Sequence, residues 1–197
     1  MKQNLITEQQ VFEKLKKFIA ETLRVDENVV KHETSLVKEL DAESLDFLDI
    51  NYQLEQAFGI KMARHFVLEH AEEMFGEGSV IDENGKLTER AVELLRIRFG
   101  KDTPDLVAGM DVDQVPSLIT VQSIVRAVMD LLDTLPEKCP RCGNTAWKSE
   151  DGTHILCNSC GEDAPFTNGD DLTKEWLRRV QEEKKIFPVG QNDHATS

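Results

Sequence analysis

The stretch TSLVKELDAESLDFLDINYQLEQAFGIKM, Thr34 to Met62, decides how this chain folds. Its apolar residues Phe47, Ile50, Leu54 and Phe58 recur at spacings of three and four, the period that lines one buried face of an α-helix. Gly59 stands where such a helix commonly ends, since glycine takes the left-handed conformation without steric penalty. Asp41 is positioned to cap the helix, and Glu43 lies in its first turn, where unsatisfied N–H groups and the positive end of the dipole favour carboxylates. Ser44 falls in the same turn, a comfortable place for a residue that is mediocre inside a helix. From Glu33 to Gly59 the carboxylates are Glu33, Glu39, Asp41, Glu43, Asp46, Asp49 and Glu55, against Lys38 alone. A run of charge is most simply a solvated face, but complementary charge also speeds encounters with basic partners.

Working outward, VFEKLKKFIAETL places Val11, Leu15, Phe18, Ile19 and Leu23 on one face of a preceding helix. Downstream, MARHFVLEHAEEMF and LTERAVELLRIRF read as two amphipathic helices around the turn-rich GEGSVIDENGK, and TPDL starts a shorter one at Pro104. ITVQSIVRAVMDLLDTL aligns Val121, Ile124, Val125, Val128 and Leu132, with Thr120 as cap. DDLTKEWLRRVQEEKK supplies one more helix, and FPVGQNDHATS reads as a loose tail. The architecture expected is all-α, a small bundle over residues 1–135, followed over 136–197 by a cysteine-rich segment, a helix and the tail.

Length and composition bound the function. The chain has 197 residues, 40% hydrophobic and 30% charged, the balance of a folded globular protein. No apolar run approaches the roughly 18 to 20 residues of a membrane-spanning helix, and MKQNLITEQQ lacks a secretory pattern, so a cytoplasmic protein is expected. A formal net charge of −14 without a basic patch argues against nucleic acid as a partner. Histidines are few and scattered, and neither a phosphate-binding glycine loop nor a paired nucleophile and base is present, so an enzyme is the least supported reading.

LDAESLDFLDINYQLEQAFGI resembles the second helix of acyl carrier proteins, whose signature is a carboxylate, a serine and a leucine opening an acidic helix. SLDFLDI followed by FGIK is most similar to carriers specialised for very-long-chain or hydroxylated acyl groups. The resemblance covers about residues 5–62 and 116–135, so residues 62–115 stand as a helical insertion in an acyl-carrier-like four-helix bundle. It implies that a phosphopantetheinyl transferase attaches 4′-phosphopantetheine to Ser44, flanked by Glu43 and Leu45, and that the arm holds acyl intermediates as thioesters. Glu43, Asp46, Asp49 and Glu55 would then face acyl-transferring and fatty-acid or polyketide synthase enzymes, while Leu45, Phe47, Leu54 and Phe58 would line an interior able to shelter the acyl chain. Two positions depart from the family: Glu43 stands where aspartate is usual, and Asp41 where glycine is common. An aminoacyl or polyketide carrier, or an unmodified interaction module with the carrier fold, are the alternatives.

CPRCG and CNSCG set Cys139, Cys142, Cys157 and Cys160 as two CxxC pairs, with Gly143 and Gly161 allowing a tight turn after each. A two-residue gap lets both thiolates of a knuckle reach one tetrahedral ion. Two disulfides are disfavoured by a cytoplasmic setting, and a dithiol redox motif would not need both pairs. TAWKSEDGTHIL between the pairs reads as a hairpin turning near Asp151 and Gly152. The segment resembles a zinc ribbon; four cysteine ligands would close the site and make the zinc structural. His154 is an outside candidate for a ligand. Between residues 136 and 197 eight basic residues face eleven acidic ones, which favours protein recognition over nucleic acid.

Overall fold

A computed structural model describes residues 2–100 and 105–188. The helix start expected at Pro104 and the tail from residue 189 lie outside the described residues. The chain forms two compact units, one of residues 1–64 and 113–172, the other of 65–112 and 173–197.

Three helices carry the first unit: α1 (Glu8–Leu23), α3 (Ser44–Phe58) and α6 (Val121–Leu132), with a short α2 (Leu36–Leu40) before α3. α1 starts in a capping box, in which Thr7 Oγ1 accepts the Gln10 N–H at 3.2 Å and Gln10 Oε1 accepts the Thr7 N–H at 2.8 Å. The expected stripes meet in one core: Val11, Leu15 and Ile19 of α1, Ile50, Leu54 and Phe58 of α3, and Val121, Ile124, Val125, Val128 and Leu132 of α6. Phe18, Leu23 and Phe47 are half-buried against it. Thr120 caps α6 as expected, its Oγ1 accepting the Ser123 N–H at 3.2 Å. The start of α6 is pinned to the chain before α2, with Val121 N–H donating to the Thr34 carbonyl at 3.0 Å and Gln122 N–H to that of His32 at 2.8 Å.

The cysteine-rich segment shares this core through Ile155 and Ala164. The expected hairpin forms, β1 (Trp147–Lys148) pairing antiparallel with β2 (Leu156–Cys157). Trp147 Nε1 donates to the Pro136 carbonyl at 2.9 Å. α7 (Gly169–Lys184) begins in the first unit, where the Gly169 N–H donates to the Lys61 carbonyl at 2.8 Å. A Cβ at Gly169 would lie 2.2 Å from the Ala63 backbone nitrogen, so only glycine permits this approach.

In the second unit stand α4 (Val67–Phe75), α5 (Glu89–Phe99) and α7 from Thr173 onward. Leu68, Ala71, Val80, Leu94, Leu95, Leu106, Leu177 and Val180 are buried. The Glu72 carboxylate closes the glycine-rich turn after α4 by accepting the N–H groups of Gly78, Val80 and Ile81 at 2.6, 2.7 and 2.9 Å.

Three expectations are corrected. Asp41 does not cap α3; it ends α2 in the left-handed conformation at φ 52°, its N–H returning to the Leu36 carbonyl. The chain reverses between two helices here, and aspartate is among the few residues that tolerate that conformation. The helix expected from Met62 starts at Val67, because Ile60 and Met62 are buried in the first unit outside any helix.

The third correction concerns Glu55, expected on the docking face. Its side chain is only 2% exposed, accepts the Met62 N–H at 2.9 Å and pairs with Arg64 at 2.9 Å. It faces inward because the turn after Gly59 carries the 60–64 segment back past it, and a buried carboxylate persists only where donors meet it. Glu55→Ala leaves the Met62 N–H unsatisfied and is expected to lower unfolding free energy by about 1–3 kcal/mol, measurable by urea denaturation, with Asp49→Ala on the same helix close to neutral.

Candidate functional site: a serine at a helix start and a four-cysteine cluster

Ser44 is the first residue of α3 and is exposed. Asp46 Oδ2 accepts the Glu43 N–H at 2.7 Å, satisfying one donor of the helix start and holding a carboxylate beside the serine. Glu43 and Asp49 are exposed and Asp46 half-exposed. Asp49 is tied to α1, its Oδ2 accepting from Thr22 Oγ1 at 3.0 Å and from Gln53 Nε2 at 3.1 Å. The first turn of α3 thus offers an accessible hydroxyl where backbone amides favour an anion.

The apolar residues divide. Leu54 and Phe58 are fully buried and Phe47 half-buried, whereas Leu45 is 75% exposed and cannot line an interior. Leu45 is corrected for a geometric reason: one residue after Ser44, it is turned away from the stripe that Phe47, Ile50 and Leu54 share. Sequence reasoning missed a second set. Leu48 and Tyr52 lie four and eight residues after Ser44, on its own ridge of the helix, and are 55% and 57% exposed. Their signal was present as large apolar residues out of phase with the buried stripe.

Cys139, Cys142, Cys157 and Cys160 come together at the base of the hairpin, all four sulfurs within 4.8 Å of one another. Cys139 and Cys160 Sγ are 3.7 Å apart, and Cys142 and Cys157 Sγ 3.5 Å. Sulfurs arranged tetrahedrally about zinc at 2.3 Å lie about 3.8 Å apart, whereas a disulfide holds them near ~2.05 Å. The donor set therefore fits a four-thiolate zinc site. Each knuckle closes alike: Gly143 N–H donates to the Cys139 carbonyl at 2.8 Å and Gly161 N–H to that of Cys157 at 3.0 Å, both glycines at positive φ. His154 lies outside the cluster, with Nδ1 3.4 Å from Asp151 Oδ2.

The thiols differ. The Cys160 backbone N–H, with help from that of Ser159, draws the Cys157 thiol down to about 6. Cys160 is pushed up to about 12: the Glu162 backbone N–H favours its thiolate, but burial and the neighbouring sulfurs prevail. One sulfur ionises readily and its neighbour then resists, a conflict that a divalent cation removes.

The hairpin turn is held by Asp151, whose Oδ1 accepts the Thr153 and His154 N–H groups at 2.8 and 2.9 Å. These bonds hold its carboxyl far below the usual range, the Thr153 amide contributing most. A lowered folded pKa stabilises the turn fully above the unfolded value near ~3.9 and loses that contribution as pH falls below it. In amide NMR spectra the Thr153 signal should show no carboxylate titration at about pH 4, where an ordinary aspartate titrates, and should report Asp151 only in stronger acid; Asp151→Asn should abolish that acid-range movement.

Residues 13–72 match the family described as the phosphopantetheine attachment site. The chain is 33% identical over 100 residues to the acyl carrier protein of Petrotoga mobilis, covering 51% of this chain and all of that one. It is 38% identical over 72 residues to the acyl carrier protein of Clostridium acetobutylicum, covering 36% of this chain and 88% of the relative. To the acyl carrier protein AcpXL of Rhizobium meliloti it is also 38% identical over 72 residues, covering 36% and 72%. No solved structure matches.

Proposed function

Because this chain belongs to the acyl carrier protein family, we propose that Ser44 bears a 4′-phosphopantetheine arm on which acyl intermediates travel as thioesters. The observation that carries the proposal is an exposed serine at the start of α3, between Glu43 and Leu45, within the residues that match the attachment-site family. The phosphodiester would sit at a helix N-terminus, where the dipole and first-turn amides favour negative charge. The chain is a carrier, not an enzyme; the arm supplies the reactive thiol and the protein supplies position and recognition. A phosphopantetheinyl transferase and acyl-transferring synthases are its partners in this reading, met through Glu43, Asp46 and Asp49 on the exposed face of α3.

The likeness to AcpXL supports a specialised fatty-acid or lipid pathway. Cytoplasmic residence suits four cysteines that serve as metal ligands, and no helix among the described residues is long and apolar enough to cross a membrane. The four-thiolate cluster takes a structural zinc in this reading, with Cys139, Cys142, Cys157 and Cys160 filling every position. In this reading residues 1–135 form the carrier domain, and residues 136–197 hold the ribbon followed by a further helix and tail.

Incubation with coenzyme A and a phosphopantetheinyl transferase should add one phosphopantetheinyl group by intact mass, and Ser44→Ala should take none. No addition under conditions that load an ordinary carrier would overturn the assignment. Metal analysis should find one zinc per chain, absent from the Cys157→Ser variant, and chelation should collapse the β1–β2 amide signals while those of α1 and α6 persist.

A further inference from the structure

Beside α3 lies an open groove of about 420 Å³ that no residue of the attachment site occupies. Its walls include Lys14 and Phe18 of α1, Tyr52, Gln53 and Gln56 of α3, and Thr153 and His154 from the hairpin tip. The tip is seated against both helices: a Cβ on Gly152 would come 2.5 Å from Gln10 Nε2, and one on Gly59 would come 3.7 Å from the His154 ring. The ribbon thus supplies one wall of a groove whose other walls are carrier helices.

Ser44, Leu48, Tyr52 and Gln56 follow one another at i, i+4 spacing, a single ridge along α3. That ridge leads from the attachment hydroxyl into the groove, and its two large apolar side chains are exposed. Resting on the assignment of the arm to Ser44, we infer that this groove holds the phosphopantetheine arm itself, laid along Leu48 and Tyr52 with its thiol end between Tyr52 and the hairpin tip.

Reach, volume and chemistry agree. Ser44 to Tyr52 spans about 12 Å of helix. From phosphorus to sulfur the arm has about thirteen bonds, which extend to roughly 15 Å at the per-bond advance of a polypeptide. The groove's volume falls within the range of small-ligand sites, roughly 300–1,000 Å³. The arm alternates amides and a hydroxyl with methylene and methyl groups. The groove offers the same mixture: amide, hydroxyl and imidazole groups on Gln53, Gln56, Thr153 and His154, and ring faces on Phe18 and Tyr52. A zinc-held hairpin would on this view do more than stabilise the chain, since it would shape the resting place of the reactive thiol.

The test uses the full-length chain loaded with isotope-labelled phosphopantetheine, its loading confirmed first by intact mass and by the Ser44→Ala control. Filtered NOEs should connect the arm's methyl and methylene protons to the Tyr52 and His154 rings. Thr153→Trp, which fills the groove, should remove those NOEs and speed alkylation of the arm thiol by iodoacetamide several-fold, read on the released phosphopantetheine so that the chain's own cysteines do not count. Tyr52→Ala, at an exposed position that leaves the core intact, should also speed it. NOEs from the arm to Leu54 or Phe58 instead, or arm signals as sharp as those of free pantetheine in the wild-type chain, overturn the inference while leaving the attachment intact. A chain that takes no arm fails at the mass step, and both readings fall together.

Discussion

A carboxylate inside an apolar core must be met by donors, and the first unit is organised around that requirement at Glu55. The side chain leaves the buried face of α3 one residue after Leu54 and is satisfied by the backbone of Met62 and the guanidinium of Arg64. Those two partners fix the 60–64 segment against the helix it has just left. Once fixed, that segment presents the Lys61 carbonyl and the Ala63 backbone on which Gly169 rests, and Arg64 N–H reaches the Asp170 carboxylate at 3.1 Å. The last residues of the cysteine-rich segment are thereby anchored to the carrier helices, and the hairpin tip lies where it can wall a groove. A single buried charge couples elements more than a hundred positions apart in sequence.

What could be read from the sequence follows from how local each signal is. The stripes of α1, α3 and α6 were legible because a helical period shows within four or five residues and all three faces are buried in one core. Gly59, Thr120 and the two knuckles were legible because caps and metal knuckles are local devices tied to specific residue types. Asp41 was misread because the same residue that caps a helix start also tolerates the left-handed end of the preceding one, and α2 has too few residues to show a period. Glu55 was misread because nothing local reveals that the chain folds back over it. Leu45 failed as a lining residue although Phe47, two positions on, packs against the core, since successive residues on a helix point about 100° apart and Leu45 falls out of phase with the buried stripe.

The ribbon and the carrier helices are also linked in their chemistry. The hairpin that joins the two cysteine pairs ends in Thr153 and His154, and its strand residue Cys157 is both a member of the cluster and a partner of Trp147 across the sheet. Whatever sets the geometry of the sulfurs therefore sets the register of the hairpin, and through it the wall beside α3. Arg141, inside the first knuckle, and Glu162, just after the second, are paired at 2.6 Å and add a second, solvent-exposed tie; such a pair contributes little by itself. Burial of Ile155 and Ala164 in the core holds the hairpin against the carrier helices beside the anchoring of Gly169 on the 60–64 segment.

The interleaving of the two units along the chain bears on how the protein is made. α1 and α6 lie against the same core, yet the last residue of α1 is Leu23 and the first of α6 is Val121. On a ribosome, α1 and α3 emerge with their apolar faces uncovered and must wait for residues 65–112 to be synthesised before α6 can cover them. Closing such a loop costs conformational entropy that grows only slowly with its length, so the final fold is little penalised, but distant pairings slow its formation. Meanwhile α4 and α5, close together in sequence, can associate early and shorten the effective loop. A nascent chain of this protein therefore carries an incomplete carrier core for longer than a compact carrier of the same family would, and exposes it to aggregation during that interval.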